Sequence, residues 1–399
     1  MPWRSVPFPE AIRKPSIGRE NQIPSSEIKR TGRFPVIDQG QSFISGYSDD
    51  EKRLIKNDLP LVVFGDHTRI IKFVDFPFIL GADGTKVLKP REDKFDARFF
   101  AFALQSLDIP SRGYNRHFTL LKERHVVQPD LPEQRKIAAV LGLVLRAMEQ
   151  QERLLALTAE LKNALLLLLF THGYRQEAQK RVELGLIPKS WTLVEIGSLG
   201  KVITGSTPKT KVPEFYSPPQ IDFIAPVDLG QTREVYNSER KISRAGLKTV
   251  RALPEDAVMC VCIGSSIGKV GMTSKLESAT NQQINSIVCH KSHDPHFIYY
   301  LLSHFAAYWR GFATFGPVPI LSKGSFEAIK VPVPLTKDEE QQIAEVFKAL
   351  DAKAEVHMRK HTSLSALFRT VLHELMTARM RVQNVDLAAL HGIALQVTS

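Results

Sequence analysis

An internal repeat constrains this chain more than any other feature of its sequence. The segment Glu133–Leu141 (EQRKIAAVL) recurs as Glu339–Phe347 (EEQQIAEVF). Two looser matches precede it in the same order along both halves: Trp3–Val6 with Trp191–Val194, and Val63–Ile71 with Cys262–Val270. Self-similarity of this kind indicates duplicated structural units. We therefore predict a tandem duplication of a globular domain that is followed by a long helix.

The globular part of each half alternates short apolar runs with turn residues, a pattern typical of strands and hairpins. Each half also contains one helix candidate, Ala97–Leu107 in the first and Pro295–Gly311 in the second. We predict two compact α+β domains of about 100 to 150 residues each. The predicted strands are 61–64, 70–74, 79–80 and 86–88, then 257–263, 270–273 and 284–289.

The repeated segment opens a long pattern of apolar residues at three- and four-residue spacing in both halves. A helix from Pro132 to Phe170 would be roughly 58 Å long, so it needs a partner along its length. The simplest partner is the other copy, and we predict that the two helices pair as an antiparallel coiled coil. The middle of the seam turns polar, as a register-fixing layer or as a solvent-exposed or docking stretch. The polar residues are Gln151, Thr158, His357 and His361.

Charge and composition favour a polyanionic partner. The 399 residues carry a net charge of +11, and 43% are hydrophobic, enough for packed cores. Three cysteines fit a reducing compartment. The longest apolar run, Ala164–Phe170, is far shorter than the ~20 residues of a membrane span. We expect a soluble, cytoplasmic protein, with no secretion signal in Met1–Pro15.

The sequence contains no persuasive catalytic or metal-binding motif. Gly264–Val270 resembles a phosphate-binding loop, but it is one residue short between its glycines and has Val in place of Ser or Thr. Cys260 and Cys262 share one face of a strand, which favours buried apolar residues over a zinc site completed by Cys289-His290 and His293. Asp66-His67 is interpreted as a tight turn that presents polar groups. We expect no metal and no catalytic residue.

The order and duplication of several segments resemble the DNA specificity subunits of type I restriction–modification systems. In the first half these segments are Phe34–Gly40, Phe64–Arg69, Gly81–Gly84, Gly113–His117 and Leu131–Arg135. In the second half they are Thr204–Pro208, Ile263–Lys269, Thr280–Gln283, Val331–Pro334 and Gln341–Ile343.

The resemblance implies a non-catalytic subunit that reads a bipartite site on double-stranded DNA. It implies target-recognition domains at 1–131 and 175–336, spacer helices at 132–174 and 337–380, and a C-terminal tail at 381–399. The helices would dock methyltransferase subunits and fix the unread gap between half-sites. An endonuclease/translocase subunit completes such a complex. S-adenosylmethionine, Mg²⁺ and ATP belong to those partners, and none is expected in this chain.

Loop residues with hydrogen-bonding capacity, charge or an aromatic ring are the candidates for DNA contact. Amides of Asn and Gln suit adenine, Arg suits guanine or phosphate, and Lys suits phosphate. In the first domain the candidates are His67, Arg69, Tyr114, Asn115, Arg116 and His117. In the second they are Ser206, Thr207, Lys209, Lys211, Ser265, Ser266, Lys269, Asn281, Gln282, Gln283 and Lys323.

Two other functions remain open. One is a stand-alone DNA methyltransferase or nuclease with a fused recognition domain, which would require a catalytic motif. The other is a coiled-coil scaffold without a DNA function, which would leave the basic charge and the paired polar loops unexplained.

Overall fold

The computed structural model describes residues 3–82, 84–110, 113, 116–314 and 316–384. The chain forms two compact units. Unit 1 comprises Met1–Arg153 with Met358–Ser399, and unit 2 comprises Leu154–His357. Both long helices cross this division. Each unit therefore contains one globular domain, the beginning of one long helix and the end of the other.

The globular domain of unit 1 is built on two four-stranded sheets, with strand orders β2-β9-β6-β7 and β3-β8-β4-β5, and a small β1-β10 ribbon. The central strand β6 is completely buried, as its run of Leu and Val leads one to expect. The elements are β1 (Ser5–Pro7), α1 (Phe8–Ala11), β2 (Ile12–Arg13), β3 (Gln22–Ile23), β4 (Phe34–Ile37), β5 (Gly46–Ser48), β6 (Leu61–Gly65), β7 (Ile71–Val74), β8 (Ile79–Gly81), β9 (Thr85–Pro90), α2 (Ala97–Gln105), α3 (Phe118–Lys122) and β10 (His125–Val127).

A helix of 42 residues, α4 (Leu131–His172), follows this domain. The globular domain of unit 2 comes next, with sheets β14-β21-β18-β19-β16 and β17-β15-β20 and the ribbons β11-β12 and β13-β22. Its elements are β11 (Gln179–Val182), β12 (Gly185–Pro188), β13 (Thr192–Glu195), α5 (Ile196–Leu199), β14 (Gly200–Thr204), β15 (Ile221–Ile224), β16 (Glu234–Val235), β17 (Lys241–Ile242), α6 (Arg244–Leu247), β18 (Val258–Val261), β19 (Val270–Thr273), β20 (Ser278–Thr280), β21 (Ile284–Cys289), α7 (Pro295–His304), α8 (Ala306–Arg310), α9 (Lys323–Glu327) and β22 (Lys330–Val333). A helix of 40 residues, α10 (Lys337–Met376), follows it.

The two domains repeat one plan. In both, an antiparallel three-strand core lies beside a pair of parallel strands: β9-β6-β7 with β4 and β8, and β21-β18-β19 with β15 and β20. The predicted duplication of a mixed α and β domain followed by a long helix is confirmed. The predicted domain boundaries remain predictions.

A buried side chain in the first turn of each long helix connects that helix to its own domain. Gln134 Oε1 accepts a hydrogen bond of 2.8 Å from the backbone N–H of Asp96, the N-cap of α2. Glu340 Oε2 accepts one of 2.7 Å from the N–H of Asp294, the N-cap of α7. The repeat of the sequence therefore encodes a repeated joint between helix and domain.

One predicted helix is interrupted. The segment predicted as a single helix from Pro295 to Gly311 is two helices, because α7 ends at His304 and α8 begins at Ala306. Phe305 between them has φ −90° and ψ 19° and stacks edge-on against Phe170 at 5.9 Å. The packing of Phe305 into the aromatic core of unit 2 therefore accompanies the break between the two helices.

Candidate nucleic-acid interface

In unit 2 several predicted contact loops emerge at one edge of the sheet. Strands β14 and β18 end at this edge, and their antiparallel neighbours β19 and β21 begin there. The turns at residues 204–209, 263–269 and 280–283 are consequently neighbours. We name these three segments loop edge 2.

Side chains of loop edge 2 hydrogen-bond to one another. The Thr207 hydroxyl donates to Gln282 Oε1 over 2.7 Å, and Asn281 Nδ2 donates to Gln283 Oε1 over 2.9 Å. Gln283 Nε2 reaches the carbonyl oxygen of Ile263 at 3.4 Å. Gln282 is exposed, and its amide nitrogen has no hydrogen bond with a described residue. Asn281 and Gln283 therefore hold the loops together, whereas Gln282 offers donors to a ligand.

Glycines allow the close approach of these loops. A Cβ atom on Gly205 would lie 2.1 Å from the carbonyl oxygen of Asn281, so only glycine fits there. Gly264 and Gly268 have φ of 93° and 105°, values that L side chains rarely adopt. Ser265, at the tip of this turn, is exposed, and Ser266 beside it is half-buried.

The predicted phosphate-binding lysines differ in their surroundings. Lys209 and Lys211 are exposed, whereas Lys269 is half-buried and its Nζ donates to the carbonyl oxygen of Pro226 at 3.1 Å. Lys323 begins α9 and pairs with Glu327 at 3.4 Å. Lys209 and Lys211 are therefore the best placed of the four to meet a phosphate.

Two arginines beside loop edge 2 were not among the DNA contacts predicted from the sequence. Arg251 donates to the carbonyl oxygen of Thr204 at 2.5 Å, and the Arg310 side chain lies near Gly268. Both are exposed. Their distance along the chain from the loop motifs concealed them, since only basic character could have drawn attention to them.

Unit 1 has an equivalent edge, which we name loop edge 1 and define as residues 38–40, 65–70, 81–82 and 84. Gln39, which was not singled out in the sequence, holds it together. Its side-chain oxygen accepts a hydrogen bond from the His67 N–H at 3.2 Å, and its carbonyl oxygen accepts one from the Thr68 hydroxyl at 2.7 Å. The Asp66 N–H donates to the carbonyl oxygen of Gly84 at 2.7 Å.

The predicted contacts of the first domain are placed unequally. His67 is half-buried, and Arg116 is exposed next to loop edge 1. His117 is completely buried, and its Nδ1 lies 2.9 Å from the carbonyl oxygen of Asp66. In this structure the His117 ring thus presents no surface to DNA and instead fixes the segment before α3. Tyr114 and Asn115 lie outside the described residues.

Arg69 combines a strained backbone with a side chain that is already engaged. Its φ is 64°, in the left-handed region, where the second domain has Gly268. Its Nη1 donates to the carbonyl oxygen of Ile109 at 2.8 Å. A non-glycine residue costs of order 1 kcal/mol in this conformation and persists where its surroundings enforce it.

The cysteines are deep in unit 2. Cys260 and Cys262 are buried, and burial raises the pKa of the Cys262 thiol to about 12. These thiols remain protonated at neutral pH and are poor metal ligands in that state. Among the described residues, no three His, Cys, Asp or Glu side chains are grouped to hold a metal ion.

By length and composition alone, α4 could cross a membrane; it is the one helix in the described part of the chain that passes this test, and 17% of its most apolar window is buried. The core helix of a soluble protein passes the same test. In unit 2 the end of α4 contributes to the core, because Phe170 is completely buried and stacks on Phe297 at 5.7 Å.

Comparison with known proteins agrees with this geometry. Residues 188–366 match a family model described as "Type I restriction modification DNA specificity domain". The chain is 24% identical over 344 residues to the type I restriction enzyme EcoR124I/EcoR124II specificity subunit of Escherichia coli, with 82% of each chain covered. It is 30% identical over 194 residues to the type I restriction enzyme MjaIX specificity subunit of Methanocaldococcus jannaschii, over 46% of this chain and 43% of that one.

The fold is also shared with a solved structure. The crystal structure of the type I restriction–modification system S subunit from M. genitalium superimposes with a TM-score of 0.65 at 15% sequence identity. The superposition covers 94% of this chain and 96% of that one.

Proposed function

We propose that this chain is a type I restriction–modification specificity subunit, as the matched DNA specificity domain and the similar proteins indicate, and that each globular domain reads one half of a bipartite DNA site. The observation that carries this proposal is the repetition of a loop edge in both units. Each edge lies at one end of the equivalent sheet in its own domain. Polar or basic side chains are exposed at both edges. Two similar readers on one chain suit a site with two separate halves.

Within loop edge 2 we assign base reading to Gln282 and backbone contact to Lys209 and Lys211. A Gln amide can donate to and accept from the major-groove edge of adenine, and exposed ammonium groups neutralise phosphates without sequence preference. Next to loop edge 1, the exposed Arg116 has the geometry-matched donors for guanine or phosphate. Tyr114, Asn115, Ser265, Ser266 and Lys323 remain candidates of the same kind.

We also infer that α4 and α10 pair as an antiparallel coiled coil. In unit 2, Lys162 meets Asp351 at 2.5 Å, and Phe170, further along α4, stacks on Phe347, which is earlier in α10. In unit 1, Glu152 meets His361 at 2.9 Å.

The polar middle of the predicted seam supports this pairing. Gln151, Thr158 and His357 are each at most 9% exposed, so they lie inside rather than in solvent. This favours a buried polar layer over an exposed stretch as the reason for the polar residues. A buried polar layer in a helical seam fixes the register of the helices.

An apolar stripe on α4 supports docking of methyltransferase subunits. Leu157, Leu161 and Leu168 lie at helical spacing, and their exposed fractions are 49%, 50% and 38%. Neighbouring Leu167 is 61% exposed. Apolar surface gathered on one helix face marks an interaction site. The endonuclease/translocase subunit would join through that complex.

The chemistry of methylation and cleavage would then reside in those partners. We propose that this chain supplies no catalytic residue and that S-adenosylmethionine, Mg²⁺ and ATP are bound by the other subunits. Cytoplasmic DNA is the substrate that such a complex requires.

Methylation mapping tests the reading of half-sites. The chain is produced in cells with its methyltransferase subunits, and methylated bases are mapped for the wild type and Gln282→Arg. Arginine replaces a ligand suited to adenine by one suited to guanine, so one half-site should change while the other keeps its bases. Gln342→Arg, at an exposed position in the second turn of α10, serves as the control. If the base preference changes in both half-sites, or in neither of them, independent reading is contradicted.

A further inference from the structure

Unit 1 contains a cavity of about 460 Å³ that the reading of DNA does not use. It is enclosed by β7, α2 and the first half of α4. Its lining combines four phenylalanines, Phe43, Phe73, Phe76 and Phe102, with charged side chains. A cavity of this volume and lining is typical of small-molecule sites.

An arginine with an unsatisfied nitrogen lines this cavity. The Nε atom of Arg146 is buried and has no hydrogen-bond partner in the described part of the chain. Glu149, almost one turn further along α4, is exposed and forms no ion pair with Arg146 there. A buried donor without a partner costs about 1 to 3 kcal/mol, which a bound acceptor would recover.

A second guanidinium lies beside the first. Arg98 projects from α2, pairs with Asp75 at 3.3 Å and lies 4.7 Å from the centre of the Phe73 ring. Asp75 therefore already offsets the charge of Arg98. The other cation in the lining, Lys72, donates to the carbonyl oxygens of Asp38 and Ser42. Of the cations that line the cavity, Arg146 is the one without an anionic partner among the described residues.

Gly142 brings both arginines to the same place. A Cβ on this glycine would lie 3.5 Å from Nη1 of Arg98 and 3.5 Å from Nη1 of Arg146. Glycine inside a helix costs about 1 kcal/mol relative to alanine. Glycine at position 142 thus lowers the stability of the helix, and it lies where any larger side chain would extend into the cavity.

The second copy lacks these features at the equivalent positions. Counted from the aligned N-caps Asp96 and Asp294, Ala101 of α2 corresponds to Tyr299 of α7. In the repeat of the long helices, Gly142 corresponds to Lys348. Unit 1 thus has the two smallest side chains where unit 2 has two large ones.

We propose that this cavity is a binding site for a small amphipathic anion, that is, a flat apolar group with one negative charge. The phenylalanine rings accept the apolar group, and Arg146 pairs with the charge. The position of the site, between the globular domain and its spacer helix, gives such a ligand a means to stiffen that junction.

The dye 1-anilinonaphthalene-8-sulfonate has this chemistry and fluoresces when its rings leave water. Titrated into the folded full-length chain, it should bind at one site of unit 1. Arg146→Gln, which removes the charge, and Gly142→Leu, which fills the cavity, should each weaken binding about tenfold or more. Arg153→Gln removes an exposed guanidinium of the same helix outside the cavity and should leave binding unchanged. N-phenyl-1-naphthylamine, the same rings without sulfonate, should bind about tenfold more weakly than the dye.

Circular dichroism and the unfolding midpoint establish that each variant is folded. Gly142→Leu should be at least as stable as the wild type because leucine is the better helix former. Equal dye binding by all proteins, or none by the wild type, would overturn the proposal. Displacement of the dye by the methyltransferase subunits would also overturn it, because the cavity would then belong to a partner's side chains.

Discussion

The Tyr300 hydroxyl donates a 2.6 Å hydrogen bond to Asp351 Oδ2, joining the domain helix α7 to the long helix α10 within unit 2. Lys162 of α4 meets the other oxygen of the same carboxylate at 2.5 Å, and Arg233 donates to the Tyr300 oxygen at 2.9 Å. Burial and this carboxylate hold the pKa of Tyr300 well above its usual value. Three elements of unit 2 therefore share one hydrogen-bonded network.

The same junction in unit 1 is apolar. Counted from the aligned N-caps, Phe102 corresponds to Tyr300, and its ring lies 5.9 Å from that of Phe368. Phe368 corresponds in the repeat to Lys162, and Leu145 corresponds to Asp351. The junction between domain helix and long helix is thus hydrogen-bonded in unit 2 and apolar in unit 1. Substitutions at this junction should therefore affect the two units differently.

Replacing Tyr300 by Phe should destabilise unit 2. The substitution keeps the ring but removes the hydroxyl between Asp351 and Arg233, and a hydrogen bond to a charged group contributes about 1.5 to 3 kcal/mol. Urea unfolding should show a loss in that range. Tyr308→Phe, at a tyrosine whose hydroxyl forms no hydrogen bond with a described residue, should cost under about 0.5 kcal/mol. Equal losses in both variants would contradict a specific role of the network.

Glu340→Gln should be far milder than Glu340→Ala. Glutamine at position 134 already performs the same task in unit 1, accepting the N–H of the N-cap residue of α2. Alanine would leave the Asp294 N–H without its acceptor, at a cost of about 1 to 3 kcal/mol. The free energy of unfolding of the two variants measures the difference. A glutamine variant as unstable as the alanine variant would show that the bond to His293, at 2.8 Å, dominates instead.

Lys209→Gln should reduce the salt dependence of DNA binding without changing the preferred sequence. Loss of one phosphate contact lowers the slope of log K against log salt by about 1. Binding of the complex with its methyltransferase subunits is measured at several salt concentrations. Lys353→Gln, an exposed position of α10, is the control and should leave the slope unchanged. If both substitutions lower the slope equally, Lys209 makes no specific contact with a DNA phosphate.

Asp222 should make unit 2 sensitive to acid. Burial alone would raise its pKa, but hydrogen bonds from Lys275, Ser238 and Lys241 outweigh burial and hold the pKa at about 2. Because the folded value lies below the unfolded one near 3.8, this stabilisation is present above about pH 4 and is lost as pH falls towards 2.

Unfolding midpoints between pH 5 and about pH 2 test this dependence. The wild type should lose stability steeply, whereas Asp222→Asn should be less stable at neutral pH and vary less with acid. Glu277→Gln, which breaks an exposed pair with Arg244, should follow the wild-type curve. Parallel curves for wild type and Asp222→Asn would remove Asp222 as the source.

The sequence predicted the architecture well because its signals are periodic. A long helix was predicted after each globular domain, and the structure has these helices at Leu131–His172 and Lys337–Met376. Strands such as Val270–Thr273 and Ile284–Cys289 lie where turn residues delimit apolar runs. Periodicity and turn chemistry are local properties, so one chain suffices to show them.

Contacts between distant residues were not predictable in this way. Gln134 and Glu340 occur among ordinary polar positions of a helix, and nothing nearby shows that each meets a domain N-cap. His117 had the appearance of a loop residue in a polar segment, yet Asp66 and the start of α3 enclose it. The side chains of loop edge 2 were found because Asn, Gln, Ser and Thr gather in short motifs, whereas Arg251 and Arg310 stand alone.

The composition of unit 1 from two separate stretches of chain determines when it can fold during synthesis. Trp3 Nε1 donates to the carbonyl oxygen of Leu375, a partner 372 residues further along. At typical rates of translation the ribosome needs on the order of 20 to 70 s to make that distance. Unit 2, a continuous stretch, can close its core earlier, while Leu372, Leu375 and Met376 complete the core of unit 1 last. Until the end of α10 has been synthesised, the N-terminal part of unit 1 therefore exposes the apolar surface that Leu372, Leu375 and Met376 later cover. Chaperones can bind the nascent chain during this interval.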